Sequence, residues 1–241
     1  MRAETRHQLK SDRFTKATIG AAEATAHWSV EHKSKIVAVA VIAVVVVGAL
    51  AGTWFYLGRQ DDKANQGLTE AVRTLQTQVR PAGMPPTPNL PSFGSTQERA
   101  TAAKRQLQAV IDTYPHTHSA DVARYLLGTT SMQVGDNATA EKQLKEVASS
   151  FNSDLSSLAK LSLASLYGNT NRTKDALDIY KQLIDKPSAT VSKVTAQLQL
   201  ASLYESSQQP GEAKRIYEQI AKENPKTEAE SIANSKLQNL K

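Results

Sequence analysis

The sequence predicts an all-α protein: a single transmembrane helix followed by a short solenoid of repeated helical hairpins. Three observations predict it. Residues Ile36 to Leu57 make 22 consecutive positions without a charge. Small residues then recur every 36 or 37 positions through the second half of the chain. Aromatics are only 5% of the 241 residues, while alanine, leucine, lysine and glutamine are plentiful, so the chain lacks the side chains that strands favour. Valine is the exception, and it is densest in the uncharged run.

A helix of that run spans roughly 33 Å at 1.5 Å per residue, enough for a hydrocarbon core of about 30 Å. Trp54, Phe55 and Tyr56 sit together at one end, where an interfacial aromatic belt belongs. Ala49-Leu50-Ala51 offers the small-x-small triplet of a signal-peptidase site. The leader before it is long, however, and the apolar core continues past it through Leu57, so the expectation is an uncleaved anchor. Gly48 and Gly52 form a G-x-x-x-G along which two spanning helices could pack, allowing a homo-oligomer through the membrane helix.

Residues 1–35 hold seven Lys/Arg against four Asp/Glu and read as a basic cytoplasmic tail. The other flank has only Arg59 and Lys63, beside Asp61 and Asp62, so positive charge holds the N-terminus inside and sends the rest across. The tail, with Phe14 and Trp28, suits either a helix lying on membrane lipid or a partly disordered segment. The net charge of +6 is divided between this tail and the large C-terminal region. A nucleic-acid binder gathers its charge on one face, so no nucleic-acid partner is expected.

Beyond the anchor, Ala64, Leu68, Val72, Leu75 and Val79 fall at helical spacing, predicting a linker helix over 58–80. Residues 81–95, "PAGMPPTPNLPSFGS", hold five prolines and two glycines and read as an extended connector. Ser95 and Glu98 form a capping box that opens the next helix. From there to residue 241 the chain repeats. Ala103, Ala140, Ala176 and Ala213 are followed four positions later by Leu107, Leu144, Tyr180 and Tyr217. Three further come Val110, Val147, Leu183 and Ile220. Twelve positions before the last three alanines stand Gly128, Ala164 and Ala201, each after a leucine. Small residues where two antiparallel helices touch, and larger ones against the next pair, describe hairpins that must stack to bury their apolar faces. Thr227 and Glu230 make a second capping box, opening a C-terminal capping helix with Ile232, Leu237 and Leu240.

The pattern resembles the tetratricopeptide repeat, on "LLGTTSMQVGDNATAEKQL", "LSLASLYGNTNRTKDALDIY" and "LQLASLYESSQQPGEAKRIYEQIAKENP". Three full units span about 119–225. The family's tryptophan position is unfilled, and Asn152 replaces the closing proline of one unit. The first unit is a half, because its small position would be Pro91 in the connector; the helix over 64–79 is the candidate for its missing partner. The resemblance implies a concave groove lined by the first helix of each pair. By position that groove takes Val122, Tyr125, Thr129, Met132, Leu158, Leu161, Ser165, Leu198, Ser202 and Glu205, several of them apolar and suited to extended clients.

Nothing in the chain makes a positive case for an enzyme or a cofactor. His116 and His118 are two apart, but they follow a helix end and no third ligand lies near, so a connection is expected rather than a metal site. Asn137-Ala-Thr and Asn171-Arg-Thr match the glycosylation pattern but fall in inter-helix turns. There is no H-E-x-x-H, G-x-S-x-G or phosphate-binding loop.

The order of tail, spanning helix, linker and small repeat domain resembles the bacterial ancillary SecYEG translocon subunit family, which is also grouped with cell division coordinator-type tetratricopeptide domains. It implies a single-pass protein of the bacterial inner membrane with its repeats in the periplasm. It would sit beside the SecYEG translocon and pass unfolded clients to periplasmic chaperones by binding. A scaffold for a division or cell-wall complex, or a tether for an envelope enzyme, are the other readings.

Overall fold

The computed structural model describes residues 33–81, 83–85 and 91–240. The basic tail lies outside these residues up to position 32, as does part of the proline-rich connector. Nine helices and one two-stranded sheet are present among the described residues. The chain divides into two units, 1–56 and 57–241, and the boundary falls within the first helix, α1, Lys33–Gln76.

In the first unit, residues 33–56 are helical throughout. Val37, Val44, Leu50, Trp54 and Phe55 are all more than half exposed. An exposed apolar run of this length has the length and composition of a segment that can sit in lipid. One helix among the described residues is thus long and apolar enough to cross a membrane, a property that a signal sequence shares. A methyl group added at Gly48 or Gly52 would meet nothing within 4 Å, so that side of the helix is open.

In the second unit, α1 ends at Gln76, four residues before the predicted end of the linker helix. Pro81 disfavours helical backbone at Arg80, and the chain goes extended. Val79, expected on the helix, instead lies in β1, Gln78–Val79, which pairs in parallel with β2, Ser92–Phe93, inside the expected connector. Two backbone-directed bonds close this base. The Arg80 amide donates to the Phe93 carbonyl at 2.8 Å, and the Arg99 guanidinium donates to the Thr77 carbonyl at 3.1 Å, past the helix end.

Four hairpins and a closing helix follow. The end of α1 packs on α2, Thr96–Thr113; α3, His118–Gln133, pairs with α4, Asn137–Ala148. Helix α5, Ser153–Asn169, pairs with α6, Thr173–Asp185, and α7, Lys193–Ser206, with α8, Pro210–Glu223. Helix α9, Glu228–Asn239, closes the stack on α8. Ala64, Leu68 and Ala71 of α1 are buried with Leu107, Val110, Ile111, Ala123 and Leu127. Gly67 is required there, because a Cβ would come within 2.8 Å of Val110 Cγ2. Asp61 reaches across to accept the Ser119 amide at 2.9 Å, so α1 also caps α3. The segment after the apolar run is therefore the first helix of the stack.

Most of the starts are set by local chemistry. Ser95, Thr117, Asp136, Asn152, Ser192 and Thr227 each accept an amide of the helix they open. Asn152 takes two, Asp154 and Leu155, which explains an asparagine where the repeat pattern has proline. In both predicted capping boxes the glutamate reaches one residue further back than the cap: Glu98 to the Gly94 amide and Glu230 to the Lys226 amide.

The turn inside each of the last three hairpins uses a left-handed residue at one register: Gly135 with φ 77°, Asn171 with φ 60° and Gln208 with φ 58°. Glycine adopts that conformation freely and asparagine tolerates it, whereas the Cβ of other residues such as glutamine is strained against the backbone there. The residue that follows caps the next helix. Asp136 does so with its side chain; Arg172 and Gln209 do not. Replacing Gln208 and Gln209 with Gly and Asp, the pair found at 135–136, is expected to stabilise the third full repeat by about 1–2 kcal/mol. A rise in the urea midpoint at unchanged slope would record it; no rise would mean that the strain is not real.

Successive hairpins are also joined by charge. At two junctions the residue after a packing alanine pairs with the helix-cap residue of the next hairpin. Lys104 pairs with Asp136, and Glu141 with Arg172 at 2.8 Å. By repeat register the third such place would be Leu177 and Gln209, which carry no charge. Around Glu141 the network thickens: Lys145 lies at 2.6 Å, the Tyr167 hydroxyl donates to it at 3.0 Å, and Arg172 stacks over the Tyr167 ring at 3.8 Å. Lys145, then Arg172, hold the Glu141 carboxyl down at about 2. Because that lies below its ordinary value of 4.5, the ionised form favours the folded chain at neutral pH. The benefit fades as pH falls from about 4.5 towards 2. Wild type is therefore expected to exceed Glu141→Gln in urea midpoint at pH 7, with the gap closing through that window. A gap independent of pH would refute the electrostatic account.

Candidate functional site

The residues that the repeat register assigns to helix contacts are all buried. Ala103, Ala140, Ala164, Ala176, Ala201 and Ala213 are each 0% exposed, and Gly128 is buried with them. At Gly128 a Cβ would stand 2.7 Å from Leu144 Cγ, so α3 and α4 approach as closely as a glycine permits.

The ten groove candidates occupy a different environment. Val122, Tyr125, Thr129 and Met132 are half-buried along one stripe of α3. Leu158, Leu161 and Ser165 are half-buried on α5. On α7, Leu198 and Glu205 are half-buried and Ser202 is exposed. Val122, Tyr125, Met132, Leu158 and Leu161 rest on the large core cluster formed by α4 to α7, with their other side open. Leu198 rests on the C-terminal cluster of α7, α8 and α9. These side chains are supported from below and still available above.

Glu205 departs from the set. Its carboxylate meets Lys236 of α9 at 3.3 Å, beside a cavity of about 500 Å³ that Gln208, Pro210 and Leu240 also line. It also raises the Tyr217 phenol, which burial has already pushed up. Glu205 thus joins the closing helix to the stack. Two positions on the same stripes escaped the sequence reading: Gly168, 36 residues after Met132, and Thr195, 37 after Leu158. The repeat spacing alone would have found them. A Cβ at Gly168 would come within 2.9 Å of Leu203 Cδ1, so this glycine also lets α5 and α7 close up.

Two cations on the first helices are held in ion pairs. Arg124 pairs with Asp121 at 2.9 Å and with Glu146 at 3.2 Å. Lys193 pairs with Glu223 at 2.9 Å, and Lys160 borders α6 beside Gln182 and Asp185. The stripes themselves offer apolar and hydroxyl groups. Among the described residues no cluster of three or more His, Asp or Glu is placed to hold a metal ion, and His118 is the first residue of α3, behind the Thr117 cap.

A sequence model described as a tetratricopeptide repeat-like domain matches residues 26–181, and a tetratricopeptide repeat model matches residues 195–227. The chain belongs to the tetratricopeptide repeat-like domain family. Solved structures share the fold at low identity. A tetratricopeptide repeat protein from Parabacteroides merdae is 17% identical, with a TM-score of 0.53 over 74% of this chain and 60% of that one. This chain therefore spans only 60% of the length of that protein. A putative kinesin light chain with nearly identical TPR-like repeats, from Podosopora anserina, is 14% identical. Its TM-score is 0.56 over 75% of this chain and 86% of that one. A substituted form of that same protein is 16% identical at the same TM-score, over 75% and 85%. No curated protein matches the chain. In this family setting the tetratricopeptide stack is a surface for protein–protein contact, and the half-buried stripes of α3, α5 and α7 are its candidate contact face.

Proposed function

We propose that this protein is a membrane-anchored tetratricopeptide repeat adaptor that binds polypeptides on the far side of a bacterial inner membrane. In its most specific form it is an ancillary factor of the SecYEG translocon that passes emerging chains to periplasmic chaperones. The observation that carries the reading is the pairing, in one chain, of an uncharged 36–57 run with repeats whose first helices offer supported apolar side chains. Basic residues before the run and few after it favour a cytoplasmic N-terminus. Repeat stacks act by presenting surface rather than by catalysis.

Mild-detergent purification of the full chain followed by mass spectrometry tests it. The expected result is enrichment of translocon channel subunits and periplasmic chaperones, with crosslinks from α3 and α5 to nascent secretory chains. Enrichment of one hydrolase in fixed ratio would make the protein an enzyme tether. Concentration at midcell with division proteins would make it a division scaffold. Either result removes the translocon assignment.

A further inference from the structure

The seam between α2 and α3 lacks a side chain that the next seam has. Ser131 of α3 stands, at steps of 36 and 37 residues, where α5 has Tyr167 and α7 has Tyr204. Tyr167 is buried and reaches from α5 to α4. Its hydroxyl meets Glu141 at 3.0 Å, Lys145 shares that carboxylate, and Arg172 lies over the ring. By the same steps these three partners correspond to Lys104, Gln108 and Asp136. Helix α2 packs on α3 as α4 packs on α5. There a cavity of about 510 Å³ opens, lined by Lys104 and Gln108 of α2 and by Leu127 and Val134 of α3. Leu127 lies four positions before Ser131 and Val134 three after it, on one stripe of the helix. Ser131 itself is 0% exposed, and its hydroxyl has no hydrogen-bond partner among the described residues. Buried hydroxyls are normally paired, so packing alone does not account for this one.

The chemistry of the walls matches the side chain that the seam lacks. Leu127 and Val134 offer an apolar wall for a ring. Lys104 is a donor and Asp136, its ion-pair partner, an acceptor. Together they suit a hydroxyl, which both accepts and donates. The lining runs along α2 from Gln97 to Asp112, roughly 22 Å at 1.5 Å per residue. That is far longer than a phenol ring, so the ring comes attached to a chain. We propose that this cavity is a binding site for a tyrosine side chain of a partner polypeptide. Its phenol takes the place that Tyr167 fills in the next repeat, with Lys104 standing where Glu141 stands. The site uses none of the stripe residues of α3, α5 and α7, so it goes beyond the adaptor reading and holds or fails apart from it.

The test uses the full chain in detergent, with leucine and valine methyl groups labelled for NMR. The probes are N-acetyl-tyrosinamide, its phenylalanine and leucine counterparts, and the end-blocked peptide Gly-Gly-Tyr-Gly-Gly. The tyrosine amide is expected to shift the Leu127 and Val134 methyl signals with about millimolar affinity. The phenylalanine amide is expected to bind about fivefold more weakly, for want of the hydroxyl, and the leucine amide not detectably. The peptide is expected to bind at least as tightly as the tyrosine amide. Ser131→Tyr fills the site from within, so the urea midpoint is expected to rise and probe binding to disappear. Lys104→Met is expected to remove the preference for tyrosine while leaving the affinity of the phenylalanine amide within about twofold. A lower midpoint in Ser131→Tyr would mean that the seam has no room for the ring, and overturns the proposal. So does equal binding of the leucine amide, or no binding of the tyrosine amide. Binding of the amide but not of the peptide would make the ligand a small free phenol and overturn the polypeptide source.

Discussion

Arginine at both Val45 and Val47 is expected to keep the chain out of the membrane. The two positions lie near the middle of the 36–57 run, and both side chains are more than half exposed, so lipid rather than protein would face them. On insertion scales each arginine at the centre of a spanning helix costs about 2.5–3.5 kcal/mol, together more than the gain from the valines of the run. Wild type is expected to remain with membranes after carbonate extraction, and the double variant to be released. The same samples separate anchor from leader. An uncleaved chain carries its N-terminal residues in the membrane fraction; a product beginning near Gly52 would show that the run is removed. The repeats should then be digested by protease added to spheroplasts, and full protection would reverse the proposed topology.

The second large effect is a swap at the tightest helix contact. Gly128→Val inserts a branched side chain where even a Cβ lies 2.7 Å from Leu144 Cγ. Helix α3 must then move off α4, at a cost of about 2–3 kcal/mol. Leu144→Ala empties a fully buried site and costs about 2–5 kcal/mol. Combined, the two changes exchange large for small across one contact. The double variant is expected to lose at least about 1 kcal/mol less than the two single losses together. Additive losses in urea denaturation would mean that Gly128 and Leu144 do not share space.

What the sequence made legible follows from period. Alanines at 36- or 37-residue spacing mark where helices must touch, because no larger residue fits, and all six lie buried. The capping residues could be read because a serine or threonine three positions before a glutamate has a local meaning. The end of the linker helix could not be read from apolar spacing. Val79 keeps the helical phase, yet Pro81 two residues later turns it into a strand, and the β1–β2 pairing depends on Phe93, a residue distant in sequence. Asp61 looked like a flanking charge and is a cap for α3, a role fixed only once α1 packs on α2. Glu205 matched the groove by register, but Lys236 lies outside the repeat and redirects it. Local and periodic signals survive in the linear chain; contacts made across it do not.

The alternation of sign between hairpins has a consequence for chains crowded side by side. Lys104 seeks an acid and Glu141 seeks a base, so the two junctions are keyed oppositely. A stack that skipped one hairpin would bring Lys104 against Arg172. A stack that borrowed a duplicate hairpin from a neighbour would bring Glu141 against that neighbour's copy of Asp136. Both mis-threadings set like charges together at a half-buried seam. Crowded molecules would thereby be discouraged from trading parts at these two junctions, whereas the register position of Leu177 and Gln209 carries no such charge key.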